Sequence, residues 1–185
     1  MVEYLYPLEI NQCFQEIKRR LQEPAPAKMQ LLTGPRQVGK TTTLGRLEEY
    51  FGARSYFISA DSPEAARGEF WAKLEAKCEE LDKGDSPGII LLDEAQYLND
   101  WVAKLKGLWD LVLRRKWQIH LVATGSSSLQ LHSGSKESLA GRFERVTLTH
   151  WAPKALAHIF ELNDSDAIQT YIQQGGYPAH YRTNT

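Results

Sequence analysis

The residues best suited to chemistry lie between positions 34 and 42, where two glycines enclose a short loop. The loop consists of Gly34, Pro35, Arg36, Gln37, Val38, Gly39, Lys40 and Thr41. It fits the pattern GxxxxGK[ST], in which backbone N–H groups wrap a polyphosphate, provided that both glycines adopt tight, unusual dihedral angles. In this pattern Lys40 reaches the β- and γ-phosphates, the Thr41 hydroxyl binds Mg²⁺, and Thr42 is a further donor to the phosphates. The loop therefore predicts a site for ATP and Mg²⁺, rather than a plain glycine turn.

Two carboxylates follow a short aliphatic run later in the chain. Residues 89–92 are all Ile or Leu, and Asp93 and Glu94 come directly after them. A buried strand places such acids at its carboxyl end, which is where open α/β sheets bind ligands. Asp93 is predicted to hold Mg²⁺, mostly through water, and Glu94 suits a general base that activates an attacking water. The alternative makes Glu94 an ordinary acid at a helix N-terminus.

The elements that must position these side chains are short apolar runs and longer helical patterns. The runs predict strands over 29–32, 56–58, 89–92, 119–123 and 143–148. The helical patterns predict helices over about 10–21, 41–51, 63–81, 101–112, 153–160 and 165–174, the third of them opened by Pro63. Strands that alternate with helices predict an α/β fold with a parallel sheet and right-handed crossovers.

The same pattern predicts three parts of the chain. Residues 1–28 form an N-terminal helix and linker, and residues 29–150 form the core around the phosphate loop. Residues 151–185 begin a helical lid, which we expect to be cut short because too few residues follow Gly176 to complete it.

One predicted strand, 56–58, lies between the strand of the phosphate loop and the strand that ends in Asp93 and Glu94. With the adjacent glutamate, this extra strand resembles the additional-strand, catalytic-glutamate division of P-loop ATPases. That resemblance implies a three-layer sandwich with a sheet of order 5-1-4-3-2. In this order the end of the fourth strand faces the γ-phosphate, so Thr124 or Ser126 would be the residue that senses it. The alternative is a serine-rich turn at a strand end.

The family is recognisable from five motifs in order, GPRQVGKTT, LLDEAQ, TGSSS, LAGR and GGYP. They resemble the AAA-type ATPases of the bacterial and archaeal "ATP-binding protein" group, the AAA_14-like family, over residues 4–178. Family members continue into a winged-helix or lid region and a C-terminal domain that resembles restriction endonucleases. Neither has room in 185 residues, so we expect this chain to be the ATPase portion.

Arg142 ends the motif LAGR, directly before the fifth predicted strand. In AAA-like modules an arginine at this place is presented to the γ-phosphate of a neighbouring subunit, which implies a homo-oligomer. A sensor in its own site is the second interpretation. A surface ion pair with Glu137 or Glu144 is the third.

Composition and charge restrict the partners. The 185 residues carry 22 Lys and Arg against 23 Asp and Glu, a net charge of −1, which excludes a protein that coats nucleic acid with its whole surface. Arg114, Arg115 and Lys116 close a predicted helix, where a solvated helix end is the first interpretation and local nucleic-acid contact the second. Two widely spaced cysteines and the absence of a signal peptide or apolar span predict a cytoplasmic protein without a membrane segment.

These features together predict a Mg-dependent ATPase in which hydrolysis drives a conformational change. A nucleotide-gated switch with slow turnover is the alternative, followed by a P-loop kinase. A GTPase is disfavoured because the chain has no NKxD motif to recognise guanine.

Overall fold

The structure, a computed structural model, describes residues 8–63, 65, 68–126, 141–177 and 181, without the side chains of residues 8 and 126. Within these residues the helices are α1 (Leu8–Arg20), α2 (Lys40–Phe51), α3 (Phe70–Asp82), α4 (Trp101–Arg115), α5 (Pro153–Ile159) and α6 (Asp164–Gln174). The strands are β1 (Met29–Gly34), β2 (Ser55–Ser59), β3 (Gly88–Asp93), β4 (Ile119–Ser126) and β5 (Phe143–Thr147). The predicted alternation of strands and helices is confirmed.

The five strands form one parallel sheet in the order β2-β3-β4-β1-β5. Read from the other side, this is the predicted order 5-1-4-3-2, which is confirmed. Strand β4 pairs with β1 on one side, where Ala123 lies opposite Leu31, and with β3 on the other. Because all strands run the same way, the end of β1, the end of β3 and the end of β4 meet at one edge of the sheet.

Two apolar clusters cover the two faces of the sheet. Successive residues of a strand point to opposite faces, and Leu31 and Leu32 accordingly belong to different clusters. Side chains of α3 and α4 pack in the first cluster, and those of α1, α2 and α5 pack in the second. The chain is therefore a three-layer α/β/α sandwich, with both faces of the parallel sheet buried.

The predicted start of the third helix at Pro63 is wrong. Pro63 lies in a turn, where the Ser62 carbonyl accepts the backbone N–H of Ala65 at 3.0 Å, and α3 begins only at Phe70. Gly68 has a φ of +77°, a left-handed value that a continuing helix does not allow. From Phe70 onward the helix is as predicted, and Phe70, Leu74 and Cys78, which lie on one face of it, are all buried.

Among the described residues, no helix is both long enough and apolar enough to cross a membrane.

The two helices of the first cluster offer a matched test of the core. Leu74 of α3 is fully buried, whereas Leu113 of α4 is 44% exposed. We expect Leu74→Ala to lower the free energy of unfolding by about 2–5 kcal/mol, because it removes buried methyl groups and leaves a cavity. The control Leu113→Ala makes the same change on a helix surface and should cost less than about 0.5 kcal/mol. Urea titration of both variants measures the difference, and equal losses would contradict the assignment of Leu74 to the core.

Candidate functional site

The phosphate loop leaves the end of β1 and turns into the first residue of α2. Gly39 has a φ of +104° and Gln37 a φ of 63°, so the loop contains two left-handed residues, separated by Val38, before the helix. Only glycine adopts such a φ at no steric cost. A Cβ on Gly39 would also lie 2.4 Å from Cδ1 of Ile10 on α1, so the back of the loop has no room for a side chain.

Gly34 is required for a different reason from the one predicted. Its φ is not left-handed, but a Cβ there would lie 2.2 Å from the carbonyl oxygen of Leu148. Leu148 follows β5 and donates its backbone N–H to the carbonyl of Thr33 at 2.8 Å. The prediction of an unusual dihedral angle therefore holds at Gly39, while Gly34 allows a close approach between two backbones.

Lys40 lies under the loop, where it is only 4% exposed. Its Nζ donates to the carbonyl of Pro35 at 2.8 Å and to that of Gly34 at 3.3 Å. Burial lowers the pKa of the Lys40 ammonium, and the nearby carboxylates of Glu94 and Asp93 partly oppose that effect. The ammonium is thus held inside the loop by its own backbone, close to two negative charges.

The carboxylate of Asp93 joins the ends of three strands. One oxygen accepts the hydroxyl of Thr41, at the start of α2, at 2.7 Å, and the other accepts the hydroxyl of Thr124 on β4. Asp93 is 3% exposed and Thr124 is fully buried. The Oγ1 of Thr124 also accepts the backbone N–H of Glu94 at 2.9 Å. The hydroxyls of Thr41 and Thr124 thus fix both carboxylate residues relative to the phosphate loop.

Glu94 has a left-handed backbone, with φ 51° and ψ 44°, and begins a short 3₁₀ turn over Ala95–Tyr97. Left-handed non-glycine residues are uncommon and tend to occur at functional sites. The side-chain amide of Gln96 donates to Oε2 of Glu94. This contact was not predicted, although the motif LLDEAQ has a glutamine two residues after the acid.

An open cleft of about 430 Å³ lies between the phosphate loop and the acids. Its lining residues are Arg36, Gln37, Thr41, Phe57, Ser59, Asp61, Asp93, Glu94 and Tyr97. The guanidinium of Arg36 lies 3.5 Å from the hydroxyl of Tyr97 across the cleft. Of these residues, Phe57, Ser59, Asp61 and Tyr97 were not predicted, because nothing in the sequence marks which residues of neighbouring strands and turns face the loop.

The donors of the cleft fit a magnesium ion held together with a polyphosphate. Thr41 and Asp93 supply a hydroxyl and a carboxylate that already touch each other. Magnesium is usually bound by one or two such protein groups, with waters and substrate phosphates completing its shell. No three His, Cys, Asp or Glu residues gather as a metal cluster in the part of the chain that the structure describes.

Other predicted residues lie around this centre or away from it. Val38 is buried in the loop, Pro35 is half-buried, and Thr42 is exposed on the first turn of α2. Ser126 ends β4 with its backbone opposite Gly34, and its side chain lies outside the described residues. Residues 127 and 128 of the motif TGSSS and residues 139 and 140 of LAGR also lie outside them.

Arg142 lies where the strands begin, at the end of the sheet opposite to the phosphate loop. Its carbonyl accepts the backbone N–H of Met29, the first residue of β1, at 2.9 Å, whereas the phosphate loop begins at the last residue of β1. The strand between them is about 17 Å long. The Nε of Arg142 pairs with Oδ1 of Asp110 on α4 at 3.0 Å, while the carboxylate of Glu144 pairs with Arg20 and Lys28. The structure thus does not bring Arg142 to the phosphate loop of its own chain.

Comparison with known proteins agrees with this geometry. Residues 26–154, more than half of the chain, match the sequence model of the AAA domain family AAA_14. The proteins named uncharacterized protein Rv2008c of Mycobacterium tuberculosis and uncharacterized protein Mb2031c of Mycobacterium bovis are each 35% identical to the chain over 123 residues. Those residues are 66% of this chain but only 25% of either relative. The chain therefore belongs to the AAA_14 family of AAA domains, which are ATPase-like nucleotide-binding modules.

Proposed function

We propose that the chain binds Mg-ATP in the cleft and hydrolyses it, and that hydrolysis drives a conformational change. The observation that carries the proposal is the buried Asp93 carboxylate, which holds Thr41 and Thr124 together beside Glu94. Such an arrangement costs desolvation of a charge and is typical of a site prepared for a cation and an anion. We also propose that residues 29–150 are the ATPase core and residues 151–185 the start of a lid.

Lys40 supplies positive charge to the phosphates. Its ammonium is already held inside the loop by two carbonyl acceptors. Phosphate oxygens bound at the loop would add to these two hydrogen bonds or replace them. A cation fixed in a buried site stabilises the charge that develops on the phosphates without reorganising, and this contributes strongly to catalysis. The N–H groups at the start of α2 and the positive end of its dipole favour the same anion.

Thr41 and Asp93 are the residues that would hold magnesium. When bound, Mg²⁺ would neutralise part of the negative charge of the phosphates. The Thr41 hydroxyl donates its proton to Asp93, which leaves its oxygen lone pairs available for the metal. Thr42 is exposed beside it as a further phosphate donor.

Glu94 acts as the general base. Its carboxylate borders the cleft, where it accepts a proton from water as the water oxygen attacks the γ-phosphorus and the bond to ADP breaks. Thr124 positions Glu94 by accepting its backbone N–H, and so links the base to the metal ligand Asp93. Of the two residues proposed to sense the γ-phosphate, Thr124 has this support.

A slow nucleotide-gated switch is favoured by the contact between Gln96 and Glu94. The Gln96 amide occupies one carboxylate oxygen of Glu94 and so competes with an attacking water for it, and turnover in the isolated chain is slow if this contact persists with ATP bound. Steady-state turnover with and without DNA or a protein partner distinguishes the two functions, because only the switch stays slow under every condition.

A kinase is favoured by a second cleft of about 710 Å³, which shares Asp61 and Tyr97 with the first. An acceptor bound there would lie next to the γ-phosphate. Parallel measurement of ADP and inorganic phosphate distinguishes the reactions, since hydrolysis releases them in equal amounts and phosphoryl transfer releases ADP alone.

The proposal predicts that Lys40→Ala abolishes ATP binding and leaves the fold intact. The loss should be on the order of a hundredfold or more in affinity, because a charged donor to the phosphates is removed. Lys83→Ala, which removes a lysine 74% exposed at the end of α3, is the matched control. Calorimetric titration with ATP measures both, and near wild-type affinity in Lys40→Ala would disprove the phosphate-loop assignment.

Glu94→Gln should bind Mg-ATP normally but lose about 10²–10⁴-fold in turnover, since the amide keeps the shape and removes the base. Asp93→Asn is the companion variant, and it should weaken binding in a Mg²⁺-dependent manner. Phosphate-release assays and titrations at several Mg²⁺ concentrations separate the two effects. Hydrolysis at the wild-type rate by Glu94→Gln would move the role of base to another residue.

Arg142 is proposed to act in a neighbouring subunit, because its own loop lies at the far end of β1. An arginine supplied in trans contributes about 10³-fold or more to turnover. We expect Arg142→Ala and Glu94→Gln to be nearly inactive alone, and their mixture to recover activity at concentrations that allow assembly. Arg145→Ala, which removes an exposed arginine of β5, is the control. Absence of recovery, with a monomeric mass in ATP, would contradict a role in trans and leave Arg142 as a residue of a surface ion pair.

A further inference from the structure

Trp151 connects the phosphate loop to the C-terminal helices. Its indole Nε1 donates to the carbonyl oxygen of Val38 at 2.9 Å, across 113 positions of sequence. Trp151 is 9% exposed and Val38 is fully buried, so the bond is shielded from water. No motif singled out this tryptophan, and the proposed chemistry above does not use it.

The bond determines the direction of a neighbouring N–H group. The peptide unit between Val38 and Gly39 is planar and trans, so its C=O and N–H point in opposite directions. A Val38 carbonyl held toward Trp151 therefore turns the Gly39 N–H away from Trp151. Ile10 lies close behind the same peptide unit, since a Cβ on Gly39 would lie only 2.4 Å from its Cδ1.

The position of the indole is set in turn by the chain after α5 and α6. The Trp151 ring stacks on Phe160, which stacks on Tyr181, with interplanar angles of 29° and 24°. The backbone N–H of Trp151 donates to the carbonyl of Gly176 at 3.3 Å, and the Tyr181 hydroxyl donates to that of Gly175 at 2.8 Å. The residues that hold Trp151, namely Phe160, Gly175, Gly176 and Tyr181, lie beyond position 154, where the match to the family ends.

We propose that Trp151 is a positioning residue for the phosphate loop, through which the packing of α5 and α6 sets the affinity for nucleotide phosphates. It does so by holding the Val38–Gly39 peptide with the Gly39 N–H directed at the phosphates. This inference rests on the proposed function, since it assumes that ATP binds the loop. Because coupling between two sites is reciprocal, bound ATP also stabilises the packing of the C-terminal segment around Trp151.

The first test uses Trp151→Phe in the whole 185-residue chain, which keeps an aromatic ring and removes the indole N–H. We expect ATP to bind about tenfold more weakly, the effect of one shielded hydrogen bond, with kcat little changed because the catalytic groups stay in place. Trp117→Phe is the matched control, since Trp117 is also buried but packs in the cluster on the other face of the sheet. A wild-type affinity in Trp151→Phe would overturn the inference.

The second test changes Gly176, whose carbonyl accepts the backbone N–H of Trp151, and leaves Trp151 itself intact. A Cβ on Gly176 would lie 2.6 Å from the Trp151 carbonyl oxygen and 3.0 Å from Cβ of His150, whereas a Cβ on Gly107 of α4 has no neighbour within 4 Å. We expect Gly176→Ala to weaken ATP binding several-fold and Gly107→Ala to leave it unchanged. In protein labelled with 5-fluorotryptophan, the ¹⁹F resonance of Trp151, assigned with Trp151→Phe, should shift on Gly176→Ala and on addition of ATP.

These outcomes separate the inference from the proposed function. If wild-type protein binds ATP and both Trp151→Phe and Gly176→Ala bind it equally well, the inference is wrong and the proposed function stands. A Trp151 resonance that moves with Gly176→Ala while ATP affinity stays constant also overturns the coupling. If the wild-type chain binds no ATP, the proposed function fails first and the inference with it.

Discussion

The site depends on one buried carboxylate. Asp93 accepts the hydroxyl of Thr41 from the phosphate loop and that of Thr124 from the central strand, so the spacing of three segments follows from one side chain. A buried carboxylate is tolerated only when its oxygens are hydrogen-bonded. The hydroxyls of Thr41 and Thr124 are therefore needed to keep the Asp93 carboxylate hydrogen-bonded, as well as for chemistry. The Thr124 hydroxyl also accepts the backbone N–H of Glu94, so it holds the residue after Asp93 in place too.

The sheet order makes this carboxylate possible. With β4 between β3 and β1, the end of the acidic strand is separated from the phosphate loop by one strand, a gap of two strand spacings, or about 9–10 Å. Thr124 fills that gap from the middle, and Thr41 reaches in from the first turn of α2. On the other side of the loop, Ile10, Leu148 and Trp151 lie close behind it, whereas Arg36, Gln37 and Thr41 line the cleft.

The sequence was sufficient for features that are local and insufficient for those that join distant segments. The phosphate loop and the pair Asp93 and Glu94 could be predicted because spacing within a few residues determines their geometry, and the strand order followed from the resemblance that those motifs support. The start of α3 was missed because Pro63 is compatible with a helix start, and only the turn after β2 and the left-handed Gly68 exclude it. The pairs Trp151–Val38 and Arg142–Asp110 are 113 and 32 positions apart, and no periodicity in a single sequence encodes them.

Arg36 and Arg142 lie at different distances from the cleft, so they differ in whether they can contribute positive charge to it within one chain. Arg36 lines the cleft itself and reaches Tyr97, so one guanidinium is already present in the chain beside the acids. Arg142 lies at the far edge of the sheet, paired with Asp110, and a side chain cannot span the length of β1 to reach the loop. Among the described residues, Lys40 and Arg36 are therefore the cations beside the cleft, and Arg142 does not join them from the same chain. The ion pair between Arg142 and Asp110 is partly exposed, with 34% and 45% of the two side chains accessible, and ion pairs of this kind contribute little to stability.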